Sequence, residues 1–146
     1  LELNTEIKPG FYAAYADLSQ TYECLKRLEE SRAAELRLVE LLPNYLLQNP
    51  DDSRARMYYA ITLAENGLKE DAIREGGKAL ELSPDDPMML YNCACLYAQL
   101  GEVDRAVDTL RQAIAGGYEN FGWMKHDPDL DALREHPGFM AMVDGK

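Results

Sequence analysis

Three groups of residues in this chain have the types that chemistry uses: the pair Cys93 and Cys95, the alternating acids Asp127, Asp129 and Asp131, and the histidines His126 and His136. The two cysteines lie two apart in a stretch patterned as helix. Their side chains therefore point about 200° apart and cannot share a metal ion without unwinding. Burial as small apolar side chains is the reading that suits them. The three aspartates follow the alternation of a calcium loop, but the places that require Gly and Glu hold Ala132 and Gly138. Asp127 before Pro128 reads instead as an N-cap followed by proline at the first position of a short helix. The pattern brings no Ser, Cys or paired carboxylate beside either histidine, and no glycine-rich phosphate loop follows a strand. The expectation is a chain with no catalytic residues, no metal site and no cofactor.

Composition narrows the class. The chain has 146 residues, 47% hydrophobic and 28% charged, which suits one soluble globular domain with a real core. No apolar run approaches the roughly 20 residues that span a bilayer. Fifteen basic against 26 acidic residues give a formal charge of −11, and no cluster of Lys and Arg stands out. Nucleic acid and acidic membrane surfaces are repelled at long range by such a charge and are not expected partners. The cysteines number three, with Cys24 the third, and no basic stretch leads into an apolar signal core. An odd count without a secretory signal fits a reducing compartment, hence the cytoplasm. Leu1-Glu2-Leu3-Asn4 opens the chain without an initiator Met, as expected of a piece of a longer protein or a processed product.

The elements that position these residues repeat. Ser53 to Pro84 and Pro87 to Ala113 align without a gap at an offset of 34: Tyr59 with Cys93, Ala60 with Ala94, Leu63 with Tyr97, Gly67 with Gly101, Ala72 with Ala106, and Ala79 with Ala113. Pro50 and Pro84 share that offset, and each is followed by Asp-Asp. Apolar residues recur at three and four, one buried stripe per helix, with small residues where two helices approach. Gly67 and Gly101 fall where a first helix must stop and reverse, which calls for a positive φ. Asp86-Pro87 reads as a further N-cap with proline. Gly76 and Gly77 lie inside a second helix, at a cost of about 1 kcal/mol each relative to Ala. Either they pack closely against a large side chain such as Met88 or Met89, or that helix is a soft hinge.

This period and these positions resemble the tetratricopeptide-repeat (TPR) family. Tyr59-Ala60, Leu63, Ala72, Ala79 and Pro84 fill the family's places in one repeat; Leu90, Cys93-Ala94, Tyr97, Ala106, Leu110 and Ala113 fill them in the next. The resemblance implies an all-α fold, a right-handed superhelix of antiparallel helix pairs, here closed by a C-terminal helical cap. Residues 1–8 are expected to be the remnant of a preceding helix. Residues 9–50 form an elongated repeat carrying Tyr15, Leu18 and Tyr22, seven residues longer than the pattern, with a kink or break at Pro43. Residues 51–84 and 85–117 are regular repeats, and 118–146 are the cap, with Trp123, Leu130, Leu133, Phe139 and Met140 as its apolar payload. The stretch Tyr91 to Ala98, with Asp127 to Asp131 and His136 to Phe139, is similar to the closing section of TPR regions in bacterial multidomain signalling proteins. There the repeats are joined to a kinase, a nucleotide cyclase or a transcription regulator.

In this family the first helices line a concave face on which ligands lie. Carried onto this chain, the exposed positions are Arg54, Met57, Tyr58, Ile61, Ala64 and Glu65, then Met88, Tyr91, Asn92, Cys95, Ala98 and Gln99. The weaker first unit adds Asp17, Gln20, Glu23 and Cys24. Tyrosine and methionine without dense charge suit adaptable contact with an apolar or extended segment. Asn92 offers a backbone both a donor and an acceptor. Arg54 is the one basic residue of the set, unlike the Lys- and Arg-lined clamp of chaperone partners. The expected function is a non-catalytic scaffold that binds a protein or peptide, with self-association as a homo-oligomer the alternative; covering by the chain's own cap would also account for the apolar lining. Replacing Tyr58 and Tyr91 together by Ala is expected to weaken capture without unfolding the domain.

Overall fold

Helix starts and stops are written in local chemistry. Asp52 accepts the Ala55 amide at 3.0 Å and begins one helix; Asp86 accepts the Met88 amide at 2.9 Å and begins another, with Pro87 in its first turn. Gly67 and Gly101 both have φ of 78° and end the first helix of each pair. At each, an amide one residue further on reaches back to close the turn: Leu68 to the Leu63 carbonyl and Glu102 to the Tyr97 carbonyl, both at 2.9 Å. That bond needs a left-handed residue, which glycine supplies without a Cβ clash.

The structure, a computed structural model, describes residues 28–144. In chain order the helices are α1 (Leu28–Gln48), α2 (Ser53–Glu65), α3 (Lys69–Leu82), α4 (Pro87–Gln99), α5 (Val103–Ala115), α6 (Phe121–His126), a 3₁₀ helix (Pro128–Leu133) and α7 (Pro137–Asp144). No strand occurs among the described residues. The expected remnant at 1–8, the residues Tyr15, Leu18 and Tyr22, and the groove positions Asp17, Gln20, Glu23 and Cys24 lie outside them.

α2 pairs with α3 and α4 with α5, while α1 packs on α2. The pairs close on the repeated small residues: Ala60, Ala72, Ala79, Ala94, Ala106 and Ala113 are all 0% exposed. Gly76 belongs to the same seam. A Cβ built there would stand 2.5 Å from Leu96 Cδ2, so the glycine admits a leucine of the next pair. Close packing is thus the geometry at Gly76, and its partner is Leu96 rather than Met88 or Met89.

Of the kink or break expected at Pro43, the break does not occur. α1 runs through it for 21 residues. A proline removes one helical hydrogen bond, and here Leu42 and Leu46, one on each side, are buried against Ala55, Tyr58 and Tyr59 of α2. Tyr45 ties the end of α1 to the next turn by donating to the Asp52 carboxylate at 2.6 Å.

One contact between α2 and α3 is ionic. Arg56 Nη1 meets Glu75 Oε2 at 2.6 Å, with the two side chains only 13% and 10% exposed, and Nη2 donates to the Pro50 carbonyl at 3.1 Å. Nε of the same guanidinium is buried without an acceptor among the described residues. Thirty-four residues on, the equivalent pair is Leu90 and Thr109, both buried. The same seam therefore accepts either solution.

The cap packs Met124, Leu130, Leu133, Phe139 and Val143 inward. Two expected members depart from this: Trp123 and Met140 are exposed at 48% and 43%. α6 is a single short turn-and-a-half, and the face carrying Met124 turns inward, which leaves its neighbour Trp123 outside. Arg134 joins the parts, donating to the carbonyls of Met124 at 3.2 Å, Lys125 at 2.5 Å and Asp127 at 2.7 Å. It thereby satisfies the end of α6, which is too short to fold alone. His136 fastens α7: Nδ1 accepts the Gly138 amide at 3.0 Å, which leaves Nε2–H to donate to Asp104 of α5 at 3.2 Å.

Two features of this packing can be checked by unfolding. Glu75→Ala strands the Arg56 charge and lowers unfolding free energy by about 3 kcal/mol, whereas Arg56→Leu with Glu75→Thr, copied from the next repeat, recovers most of it; urea titration of the three proteins measures both. Burial, then the nearby Cys93, pushes the Tyr97 hydroxyl from its ordinary 10.0 up to about 12. The folded chain disfavours the phenolate, so this contribution is complete below pH 10 and is lost as pH rises towards 12. Between those values the urea midpoint falls, and in Tyr97→Phe it falls less steeply.

Candidate functional site

The residues expected to line a ligand surface surround two adjoining cavities on the α2 and α4 face. Arg54, Met57, Tyr58, Ile61, Met88 and Asn92 line a trough of about 680 Å³, joined by Ser53, Asp86 and Met89. Glu65, Tyr91, Cys95 and Gln99 line a smaller cavity of about 270 Å³, which shares Ile61 and Asn92 with the trough. Its remaining wall is the cap, through Trp123, Asp127 and Asp129.

Exposure is where the expectation fails. Met57, Tyr91, Cys95 and Ala98 are buried. Met57 sinks into the main core beside Ala60 and Leu63, and Tyr91 and Cys95 are roofed by the cap, whose 3₁₀ helix lies against α4. The first-helix face is therefore open over α2 and the start of α4, and covered at Tyr91, Cys95 and Ala98 of α4.

The cover is organised around Asp127. Its side chain accepts the Tyr91 hydroxyl at 2.5 Å, the Asp129 amide at 2.9 Å and, more weakly, the Cys95 thiol at 3.9 Å. The Asp129 amide bond is the N-cap expected of Asp127, with Pro128 following. The Tyr91 ring stacks on Tyr118 with centroids 4.2 Å apart and planes within 5°. Gln99 donates to Asp129 at 2.9 Å. Burial first, then the bond to Asp127, drives the Tyr91 hydroxyl far above its ordinary range; burial first, then the charge of Asp127, does the same to the Cys95 thiol. Both groups hold their protons, the opposite of what a nucleophile needs. Replacing Tyr91 by Ala, expected to be neutral for folding, would remove this clasp and open the cap.

Cys95, Asp127 and Asp129 can bring one ligand atom each within 4.8 Å of one another. Cys93, which sequence spacing separated from Cys95, is buried in the core on the other side of α4. The three-residue group joins a soft thiol that keeps its proton to two hard carboxylates, a poor match for any one metal. What it presents to the cavity is negative charge.

Trp123, Asp127 and Asp129 were missing from the expected lining, and Tyr118 from the contacts behind it. The Asp-Pro pair announced a helix start at Asp127, but nothing in its neighbourhood of the chain pairs it with a tyrosine 36 residues earlier. Arg54 and Tyr58 also help each other: the guanidinium donates to the hydroxyl at 3.5 Å and sits 5.8 Å from the ring centroid.

Comparison with known proteins agrees with this architecture. A chloroplastic protein of Arabidopsis thaliana is 28% identical over 116 residues, covering 76% of this chain and 34% of that protein. PEX5-related protein of Homo sapiens is 31% identical over 111 residues, covering 76% of this chain and 16% of that protein. The chain thus spans about a third of one relative and about a sixth of the other. Residues 40–87, from the end of α1 to the start of α4, match the Tetratricopeptide repeat family, and the strand-free helix pairs around that match have the all-α tetratricopeptide-repeat fold.

Proposed function

We propose that this chain is a protein- or peptide-binding scaffold without chemistry of its own, and that its ligand lies in the trough between α2 and α4. The observation that carries the proposal is the open cavity of about 680 Å³ walled by Met57, Tyr58, Ile61, Met88 and Met89. Apolar and aromatic walls supply contact area, while Arg54 and Asn92 supply polar points that fix the ligand's direction. Both walls are helices anchored in the core, so binding orders little of the protein. Tetratricopeptide repeats are protein-interaction modules, and the protonated Tyr91 and Cys95 give the site no nucleophile. The acidic balance, −11 in formal charge, favours protein over nucleic acid as partner.

In the same proposal the units are an elongated repeat to residue 50, repeats at 51–84 and 85–117, and a cap from 118. The scaffold serves within a longer signalling or assembly protein, of the bacterial multidomain kind that its closing segment resembles. Buried free thiols at Cys93 and Cys95 suit a reducing, cytoplasmic setting. Among the described residues no helix is long and apolar enough to cross a membrane.

A second copy of the chain is the other reading, favoured by Leu36 and Leu47 exposed on α1 and Leu68 and Leu82 exposed near α3. Light scattering over a wide concentration range decides it: a strict monomer at the top of the range removes homo-oligomerisation.

The trough is tested by selecting binders from a displayed library of random peptides. Apolar, extended sequences are expected to emerge, and Met88→Ala with Asn92→Ala, neither side chain part of a core cluster, weakens them about tenfold with an unchanged urea midpoint. Selected peptides that bind this double variant as tightly as the parent would take the trough out of the account.

A further inference from the structure

The segment from Asn120 to Arg134, α6 with the 3₁₀ helix, is anchored beyond each end and fastened to itself in between. On one side the Tyr118 amide donates to the Ala113 carbonyl of α5 at 2.9 Å. On the other the His136 ring meets Asp104 of α5 at 3.2 Å. Within the segment, Asn120 and Asp127 cap its two short helices, and Arg134 holds the carbonyls of Met124 and Asp127. None of these internal bonds involves α4, so all of them survive if the segment leaves α4 as one piece.

Two kinds of contact hold it down. Leu130 and Leu133 are wholly buried, which makes the closed form the dominant one. The rest is polar: the Tyr91 hydroxyl and the Cys95 thiol donate to Asp127, and the Gln99 amide donates to Asp129. All three donors are uncharged, and water takes over a carboxylate once it is exposed, so much of the strength of these bonds is recovered on opening. Beneath lie Tyr91, Cys95 and Ala98, only 4%, 7% and 2% exposed, on the same first-helix face as the trough. Ile61 and Asn92 line both cavities and make the path continuous. A ligand that follows the trough beyond Asn92 therefore runs into the segment.

We propose that this segment is an autoinhibitory strap: it lifts from α4 while the helix pairs stay folded, and lifting adds the covered positions to the trough. The occupant is the apolar, extended peptide of the scaffold reading. The strap rests on that reading for its ligand, whereas lifting is measured without one.

α4 carries the control. Cys95 lies under the strap, and Cys93, 0% exposed, lies in the core on the other side of the helix. Lifting exposes Cys95 alone; unfolding exposes both. The protein is treated with N-ethylmaleimide for timed intervals, and fragment-ion mass spectrometry assigns the label to Cys93 or Cys95. Cys95 is expected to react at least tenfold faster than Cys93 in the folded protein, and at a similar rate in urea. Tyr91→Phe drops the hydroxyl and keeps the ring that stacks on Tyr118, so it should speed Cys95 at least fivefold and leave Cys93 unchanged. Equal rates at the two cysteines in the folded protein, or a Tyr91→Phe that speeds both alike, would overturn the proposal.

Inhibition is read from a position that lines neither cavity. Arg134→Met releases the Asp127 carbonyl and loosens the strap from behind. Peptides selected on this variant are expected to bind the parent at least threefold more weakly, and equal affinity would overturn the inhibitory role. Fast labelling of Cys95 with no selected peptide sinks the trough and keeps the lifting. Peptide binding in the trough with Cys95 as slow as Cys93 keeps the trough and sinks the strap.

Discussion

Everything in this fold depends on how closely the two helices of a pair can approach. Large side chains would hold them apart; alanines at a constant interval let the backbones meet. Ala60 and Ala94 on the first helices, and Ala72, Ala79, Ala106 and Ala113 on the second, are wholly excluded from solvent. Gly76 extends the seam by removing even a methyl group, and Leu96 enters the space. Once the pairs are locked at this distance, side chains on the outer faces of α2 and α4 have fixed positions. A trough then exists whose walls the core alone sets.

The last pair must be finished differently, because no following repeat covers it. The cap does this with Leu130, Leu133 and Phe139, and in folding over α4 it also occupies part of the first-helix face. Closing the core and shortening the groove are thus one act. The clasp of Tyr91, Asp127 and Tyr118 marks the line between the covered and open parts. On one side lie thioethers and the phenol ring of Tyr58; on the other lie carboxylates and an indole. Any segment long enough to cross that line meets two environments in a fixed order.

The helix pairs were legible because their determinants are local and repeated. Gly67 and Gly101 stop helices, Asp52 and Asp86 start them, and each statement needs only a few neighbouring residues. Most of the residues around the two cavities were legible for the same reason, since helical spacing alone puts Tyr58, Met88 and Asn92 on one side. The rest depended on contacts between distant parts of the chain. Burial of Tyr91 and Cys95 comes from a segment more than 30 residues later. The exposure of Trp123 came from the rotation of one short helix, which its neighbours in sequence do not set. Pro43 works in the other direction: a local rule allows a break there, and the helix runs on through it with Leu42 and Leu46 buried on either side.

Arg134 carries a consequence of an evolutionary kind. It grips the cap through the main-chain carbonyls of Met124 and Lys125, which every amino acid possesses. Those two positions are free to drift as far as their own packing allows, and the grip does not change. Arg134 has no such freedom: a lysine ammonium is a point charge without the planar fork that spans several carbonyls at once. Constraint in the cap is therefore concentrated in the residue that donates and relaxed in those that accept, so related chains would be expected to keep an arginine there amid variable surroundings.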